Sequence, residues 1–317
     1  VRFFGSIDEV PDDWGPSAVT IGKFDGVHAG HRAIVADLIA AATASGLRST
    51  VLTFDRNPLA LLRPSACPPA LISNVQKREL IGSLGVDGVL MVPFDRAFSS
   101  QEPEAFIDRV LIGALDARLV LVGEDFRYGA GGRGDVALLR ERLGAQGVEV
   151  RVIEEVQPEG GRRASSTWVR ELLAAGEVRH AGELLGRSPS VRAVVVKGAQ
   201  RGRELGYPTA NLSRHSEGLI PADGVYAGWL VVDGEPLPAA ISVGNNPTFD
   251  GVPEQQVEAY VLDADLDLYD KTVEVVFVDF VRGMLKFDGI EPLLAQMADD
   301  VERTRGILAV APRPQTV

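Results

Sequence analysis

The feature that most constrains this chain is a change of hydrophobic pattern at the run GRSPS, Gly186 to Ser190. Before it, from Ala18 to about Val156, short apolar runs alternate with longer segments whose apolar residues recur at helical spacing. The strand candidates are AVTIG, STVLTF, GVLMVPF, RLVLVG and VEVRVIE, and helices are expected over roughly 31–45, 74–84, 102–115 and 135–146, with a helical stretch from about Ser166 to Leu185. Such alternation builds an α/β unit, a doubly wound parallel sheet with helices on both faces, whose ligands sit beyond the carboxyl ends of the strands. After the change, VRAVVV, GVYAGWLVV, AAISVG, QVEAYVL and KTVEVVFVDFV are rich in Val and aromatics and separated by Gly, Pro, Asp and Asn turns, which predicts an all-β domain. One amphipathic helix, about Ile290 to Leu308, closes it. The expected division is 1–186 and 187–317, and 45% hydrophobic residues in a chain of 317 suffice for two cores.

With 32 basic against 44 acidic residues the net charge is −12, which disfavours nonspecific binding to nucleic acid or an anionic membrane. An anionic small ligand must then be held by local basic groups. The start VRFFGSIDEVPDD lacks the apolar core of a signal peptide, and no apolar stretch approaches the length that spans a bilayer. The single cysteine, Cys67, excludes an internal disulfide and is given no role. Together these features lead us to expect a cytoplasmic protein.

Phosphate chemistry enters with GKFDGVHAGH, Gly22 to His31, which places two imidazoles where a strand gives way to a helix. The first turn of a helix presents unpaired N–H groups and the positive end of its dipole, and Gly22, Gly26 and Gly30 let a phosphate approach the backbone. A zinc site is the weaker alternative, because four histidines, His28, His31, His180 and His215, and one cysteine supply few ligands. The H-x-G-H spacing is similar to the signature of nucleotidyltransferases, which use the two imidazoles on the phosphates of ATP.

A second cluster, RRASSTWVRELL, begins a helix at Arg162 to Leu173. Ser166 and Thr167 are expected to supply N-cap oxygens, with Arg163 and Arg170 able to chelate phosphate, although an ordinary capped helix would look the same. It resembles the S-S-T-x-x-R element that completes the triphosphate site in the same superfamily. No G-x-x-x-x-G-K-[ST] occurs, which excludes an ordinary P-loop. GAGGRG, Gly129 to Gly134, reads as a mobile loop, and Asp125 and Arg127 before it stand beyond the strand LVLVG, where ligand contact and a simple turn are equally good readings.

In the second half the densest segment is KGAQRGRELGYPTANL, Lys197 to Leu212. Gly198, Gly202 and Gly206 permit tight backbone, Pro208 fixes φ, and Thr209 and Asn211 share a face if extended. Their hydroxyl and amide oxygens suit Mg²⁺ carrying phosphate, against the plainer reading of a decorated hairpin. Glu258 in QVEAYVLD stands in a strand whose two faces both look covered, so its carboxylate must be paired or be a working base. GNNPTF, Gly244 to Phe249, is either a loop folded against a planar ligand or a turn.

H-x-G-H, S-S-T-x-x-R, LGYPTAN, GNNPTF and VEAYVLD, in this order over almost the whole chain, resemble the bacterial bifunctional riboflavin kinase/FAD synthetase family. The resemblance implies an N-terminal FMN adenylyltransferase of nucleotidyltransferase fold and a C-terminal riboflavin kinase that is a small antiparallel β-barrel. Riboflavin would be phosphorylated by ATP to FMN and ADP, and FMN adenylylated by a second ATP to FAD and pyrophosphate. It implies that His28 and His31 are catalytic and, with Ser166, Thr167 and Arg170, hold ATP, and that Gly22, Phe24, Asp25, Gly26, Arg163 and Asp125 lie beside it. In the kinase, Glu258 would be the base, Thr209 and Asn211 would bind Mg²⁺ and nucleotide, Gly198, Arg201, Gly202 and Pro208 would border the phosphates, and Asn246, Thr248 and Phe249 the flavin. One departure stands out: where the family reads TFxPHP, this chain reads TFDRNP, with Arg56 for the first proline and Asn57 for the histidine. A kinase whose adenylyltransferase half has degenerated, and a flavin-binding protein without catalysis, are the two rival readings.

Overall fold

The computed structural model describes residues 1–153, 162–198, 205–244, 255–264 and 266–314. Contacts divide the chain into two compact units, Val1–Ala164 and Ser165 onward. The contact boundary thus precedes the change of pattern at 186, because two helices that follow the sheet, Ser166–Ala174 and Val178–Leu185, pack on the second unit. The Leu173 carbonyl accepts from Ala222 N at 2.8 Å, and Arg179 pairs with Asp279 on the barrel. Gly176, at φ 79°, separates the two helices that the sequence reads as one stretch.

The first unit is a six-stranded parallel sheet: β1 Arg2–Phe4, β2 Ser17–Ile21, β3 Arg48–Phe54, β4 Gly88–Val92, β5 Ala117–Gly123 and β6 Glu149–Ile153. Their order across the sheet is β1-β4-β3-β2-β5-β6. Strand β1 is absent from the sequence expectation, since its three residues are too few to show a period. Alternate residues serve opposite faces. Val19, Leu52, Leu90 and Val120 join a core with Ile107, Val110 and Leu111 of the helical run Pro103–Phe106 and Ile107–Ala114 and with Leu139 of Val136–Gly144. The intervening Val51, Val89 and Leu121 are equally buried and face the other way, toward Ala29–Ser45 and Asn74–Ser83, which contribute buried Val35, Leu38 and Ile81. The edges are short or charged: β6 carries the exposed ion pair Arg151–Glu149 at 2.9 Å.

From β2 the chain steps outward through β3 to β4, and then β5 returns to the opposite side of β2. The crossovers after β2 and β5 therefore leave in opposite directions, and a crevice opens between their carboxyl ends. The histidine turn and the Asp125 loop both begin there.

The second unit is a closed antiparallel barrel of β7 Ser190–Val196, β8 Thr209–Leu212, β9 Gly224–Val232, β10 Glu235–Gly244, β11 Gln256–Val261 and β12 Thr272–Arg282, in the order β10-β11-β8-β7-β12-β9. Strand β12 slips register against β9 between Phe277 and Asp279, and Gly228 opposite leaves room for the Val276 carbonyl, which a Cβ would meet at 2.1 Å. The helix Ile290–Leu308 contacts β9, β10 and β12. Asp300, buried on that helix, takes both arms of the Arg282 fork, Nε–Oδ1 2.8 Å and Nη2–Oδ2 2.6 Å, with Gln296 adding a third donor. Among the described residues no helix is long and apolar enough to cross a membrane.

Removing one partner of a buried pair strands the other charge, at about 3–5 kcal/mol. Asp300→Ala should therefore lower the thermal midpoint of the barrel unit, and calorimetry should show the loss in that transition.

Candidate active sites

The turn after β2 is fixed from three sides. Gly22 N donates to Leu52 O at 3.1 Å, the Thr53 hydroxyl donates to Lys23 O at 3.2 Å, and Asp25 Oδ1 accepts from Leu71 N at 2.9 Å. Gly26 has φ 81°, but Phe24 and Val27, with φ 49° and 44°, also lie in left-handed backbone. That conformation costs a non-glycine residue about 1–3 kcal/mol, and both side chains are anchored by burial. The Phe24 ring lies over Gly22, where a Cβ would come within 3.0 Å of it.

His28 is the N-cap residue of Ala29–Ser45, in extended backbone and with its imidazole unused for capping. The ring instead stacks on that of His31, centroids 3.8 Å apart at 24°, and the Phe24 ring stands 5.0 Å from His31 on another side. Burial lowers the His31 pKa well below its usual value, and His28, Arg163, Lys77 and Lys23 lower it further. Its imidazole is thus neutral at pH 7. Nδ1 of His31 is buried without a hydrogen-bond partner among the described residues. A neutral imidazole stacked on a second one at a helix N-terminus, with lysine and arginine acting on it, is an arrangement able to donate hydrogen bonds to a polyanion.

Several expected residues stand elsewhere than the sequence suggested. Ser165, not Ser166 or Thr167, is the N-cap: its hydroxyl accepts from Trp168 N at 3.2 Å while Ser166 and Thr167 are the first two helical residues. Ser165 wins because it is the last residue in extended backbone, where a side-chain oxygen can reach back to the third helical N–H. Arg170 lies one turn further along the same helix. Asp125 is exposed in the turn that follows β5. The glycine-rich segment beyond it is closed by paired backbone bonds between Tyr128 and Gly134, 3.1 and 2.9 Å, and by Arg133 on Glu102 at 2.6 Å. In TFDRNP, Asn57 caps the short helix Pro58–Leu62 by accepting from Leu59 N at 3.1 Å, and Arg56 forms an exposed pair with Asp55 at 2.9 Å.

In the barrel, Glu258 of β11 lies opposite Asn211 of β8, and Tyr260 opposite Thr209. The Thr209 hydroxyl donates to Glu258 Oε2 at 3.3 Å, and Asn211 Nδ2 lies 3.3 Å from that same hydroxyl. Val257, Ala259 and Val261 fill the barrel interior, while Glu258 occupies the other, half-buried face, so the two faces are not equally covered as the sequence had suggested. Burial raises the Glu258 pKa, partly offset by the Thr209 hydroxyl. Gly198 is obligatory beside them, since a Cβ would sit 2.4 Å from the Asn211 amide. Gly198, Pro208, Thr209 and Asn211, with Leu268 and Tyr269, line one cavity of about 50 Å³. Arg201, Gly202, Asn246, Thr248 and Phe249 lie outside the described residues.

Two features escaped the sequence reading. Phe54, Phe94, Phe98, Phe106 and Tyr128 touch in series, with centroids 5.3–6.1 Å apart, at the carboxyl side of the sheet. Lys77 is buried on the helix Asn74–Ser83 and donates to Phe54 O at 2.9 Å. The capping box Ser73-x-x-Gln76 was the available signal, since it fixes where that helix starts and so which residues face the sheet.

A raised carboxylate pKa has a thermodynamic sign. Between the unfolded value, about 4.3, and the folded one, the native state holds the extra proton, so stability falls as pH rises through that window. Denaturation across this range should show the decline in the barrel unit, and Glu258→Gln should flatten it.

Family models match in tandem: a model described as FAD synthetase over residues 10–168 and one described as riboflavin kinase over 185–308. Curated relatives named bifunctional riboflavin kinase/FMN adenylyltransferase align along nearly the whole chain. The Listeria monocytogenes protein is 35% identical over 94% of this chain and 95% of its own length. The Escherichia coli protein is 36% identical over 95% of each, and that of Bacillus subtilis 31% identical over 92% of each. A crystal structure described as a macrolide-efflux protein from Streptococcus pneumoniae superposes with TM-score 0.84 at 32% identity, covering 96% of this chain and 98% of that one.

Proposed function

The chain belongs to the bifunctional riboflavin kinase/FMN adenylyltransferase family, and from that premise we infer two reactions: ATP phosphorylates riboflavin to FMN, and a second ATP adenylylates FMN to FAD with release of pyrophosphate. What carries the reading is that each matched module retains its own chemistry: stacked imidazoles at a helix N-terminus in one, and a half-buried carboxylate bonded to Thr209 in the other.

In the kinase step we assign Glu258 as general base. It takes the proton of the terminal ribityl hydroxyl, whose oxygen attacks the γ-phosphorus of ATP while the bond to the β-bridging oxygen breaks and ADP leaves. Burial raises the basicity of the carboxylate, which suits proton removal. The Thr209 hydroxyl orients it. The donor set also fits Mg²⁺: the Thr209 hydroxyl and the Asn211 amide, whose Nδ2 lies 3.3 Å from that hydroxyl, bring hard neutral oxygens on neighbouring side chains. Among the described residues no cluster of three or more His, Cys, Asp or Glu could hold a metal, so phosphate oxygens and water would complete the shell. When bound, Mg²⁺ neutralises charge on the phosphates. Gly198 and Pro208 border the same cavity, and Arg201, Gly202, Asn246, Thr248 and Phe249 keep their phosphate and flavin roles on motif alone.

In the adenylyl step a phosphate oxygen of FMN attacks the α-phosphorus of ATP, and pyrophosphate leaves. We assign His28 and His31 to donate hydrogen bonds to the oxygens of the transferring phosphoryl group, with Lys23 and Arg163 supplying positive field. The backbone of Gly22, Phe24, Asp25 and Gly26 shapes the floor. The aromatic series from Phe54 to Tyr128 offers an apolar wall of the kind a planar ring system stacks on. Ser166, Thr167, Arg170 and Asp125 carry their nucleotide roles by motif. Against the single-activity reading stands the match of both family models, while Asn57 and Arg56, where the chain leaves the family pattern, form a local cap and an ion pair. We place the protein in the cytoplasm, where riboflavin and ATP meet, with no nucleic-acid or membrane partner.

Glu258→Gln should lower FMN formation by ~10²- to 10⁴-fold while conversion of supplied FMN to FAD continues. His28→Ala or His31→Ala should do the reverse, and chromatography of riboflavin, FMN and FAD reads both. Equal loss of the two activities in either variant would contradict the assignment.

A further inference from the structure

Lys77 stands where an ordinary lysine is expensive. It is 6% exposed, whereas lysine is almost never buried unless paired. It also lies in the first turn of Asn74–Ser83, whose dipole repels a cation. Burial lowers its pKa, and only the fields of Asp25 and Asp55 oppose that. Such a group persists where its position serves something.

Its surroundings show what that is. The ammonium donates to the carbonyl of Phe54, the last residue of β3. Asp25, in the histidine turn, accepts from Leu71 N, and Leu71 lies just before the helix that carries Lys77. Asp55, beside Phe54, accepts from Phe94 N at 2.8 Å at the end of β4. A closed circuit thus runs from the histidine turn through Leu71 and the helix to Lys77, across to Phe54, and back through Thr53 to Lys23.

We propose that Lys77 is a positioning residue for adenylyl transfer: its buried ammonium braces the end of β3 against the helix Asn74–Ser83 and so holds the histidine turn in its strained, reactive shape. Its charge has a second effect. The groups acting on His31 are His28 at the start of the same helix, Lys23 in the turn, Arg163, and Lys77, none of them anionic, and the ring stays uncharged among them. Asp25 and Asp55 act on Lys77 itself. Without the lysine the turn gains freedom, and the His31 pKa rises. Both effects reduce the fraction of enzyme with a neutral imidazole in register with the phosphoryl oxygens.

This proposal rests on the adenylyltransferase reading, and the test separates the two. The full-length protein, Lys77→Met and Lys77→Arg are assayed for riboflavin-to-FMN and FMN-to-FAD conversion across pH, and His31 is titrated by NMR with ¹⁵N-labelled histidine. Lys77→Met should lower kcat for FAD formation on the order of 10- to 100-fold, as small misplacements do. The acid limb of its pH profile should move upward together with the His31 titration, and FMN formation should stay within about twofold, the barrel site being built from other residues. Lys77→Arg, which keeps the cation, should bring the acid limb and the titration back. FAD formation and His31 titration unchanged in Lys77→Met would overturn the proposal, as would a folded Lys77→Arg that behaves like the Met variant. If amide exchange shows the first unit unfolded in Lys77→Met, the decision passes to the unmodified protein: His31 titrating at or above about 6.5 there overturns the proposal without any variant. An unmodified protein that makes no FAD from FMN contradicts the adenylyltransferase reading instead, and leaves the titration as the measure of the brace.

Discussion

The first unit depends on one constraint: strands that all run the same way cannot be joined by tight turns. Each needs a crossover, so all their carboxyl ends lie on one edge of the sheet, and the reversal of order at β2 and β5 opens that edge. The histidine turn is therefore located by topology before any side chain is considered. Its conformation is then set by neighbours on β3 and by the segment at Leu71, which hold two non-glycine residues in left-handed backbone. The barrel solves a different problem. Its closed ladder fixes Asn211 opposite Glu258 and Thr209 opposite Tyr260 by register alone, so the Glu258 carboxylate and the Thr209 hydroxyl meet without a crossover.

The strands were legible because their apolar runs are continuous where both faces are buried, as in β2 and β4, and alternate where one face is wet, as in β11. The H-x-G-H and P-T-A-N motifs were legible because glycine frees the backbone and proline fixes it, and both choices show in one sequence. Other positions depend on geometry that one sequence does not display. Ser165 and Ser166 are chemically identical cap candidates, and only the residue at which extended backbone ends separates them. Gly176 splits a helix whose apolar spacing runs on. Lys77 went unread although the capping box Ser73-x-x-Gln76 marks where its helix starts, because a lysine at a helix start looks like any solvated charge until the packed face is known. The unit boundary fell ahead of the pattern change because Val178–Leu185 packs against β12 and Ser166–Ala174 packs against that helix.

An acidic chain that handles polyanions must localise its cations. Here the net charge of −12 coexists with a cluster of Lys23, Lys77 and Arg163 around His31. The exposed pairs elsewhere, such as Arg118–Asp116 and Lys271–Asp233, contribute little to stability in water. Groups withdrawn from water matter more: Asp300 fastens the terminal helix and Lys77 braces the turn, whereas burial of Glu258 costs the fold stability while it raises the carboxylate's basicity.

Closure of the barrel also decides where this molecule is vulnerable to its own copies. A ladder that returns to its first strand exposes no unpaired row of N–H and C=O groups, whereas the parallel sheet ends in β1 and β6. Strand β1 is only three residues long, and β6 sets Glu149 and Arg151 on its solvent side. At high concentration or on mild heating, strand-by-strand association should thus begin at the first unit, and the two charges on β6 are the residues to preserve when solubility matters.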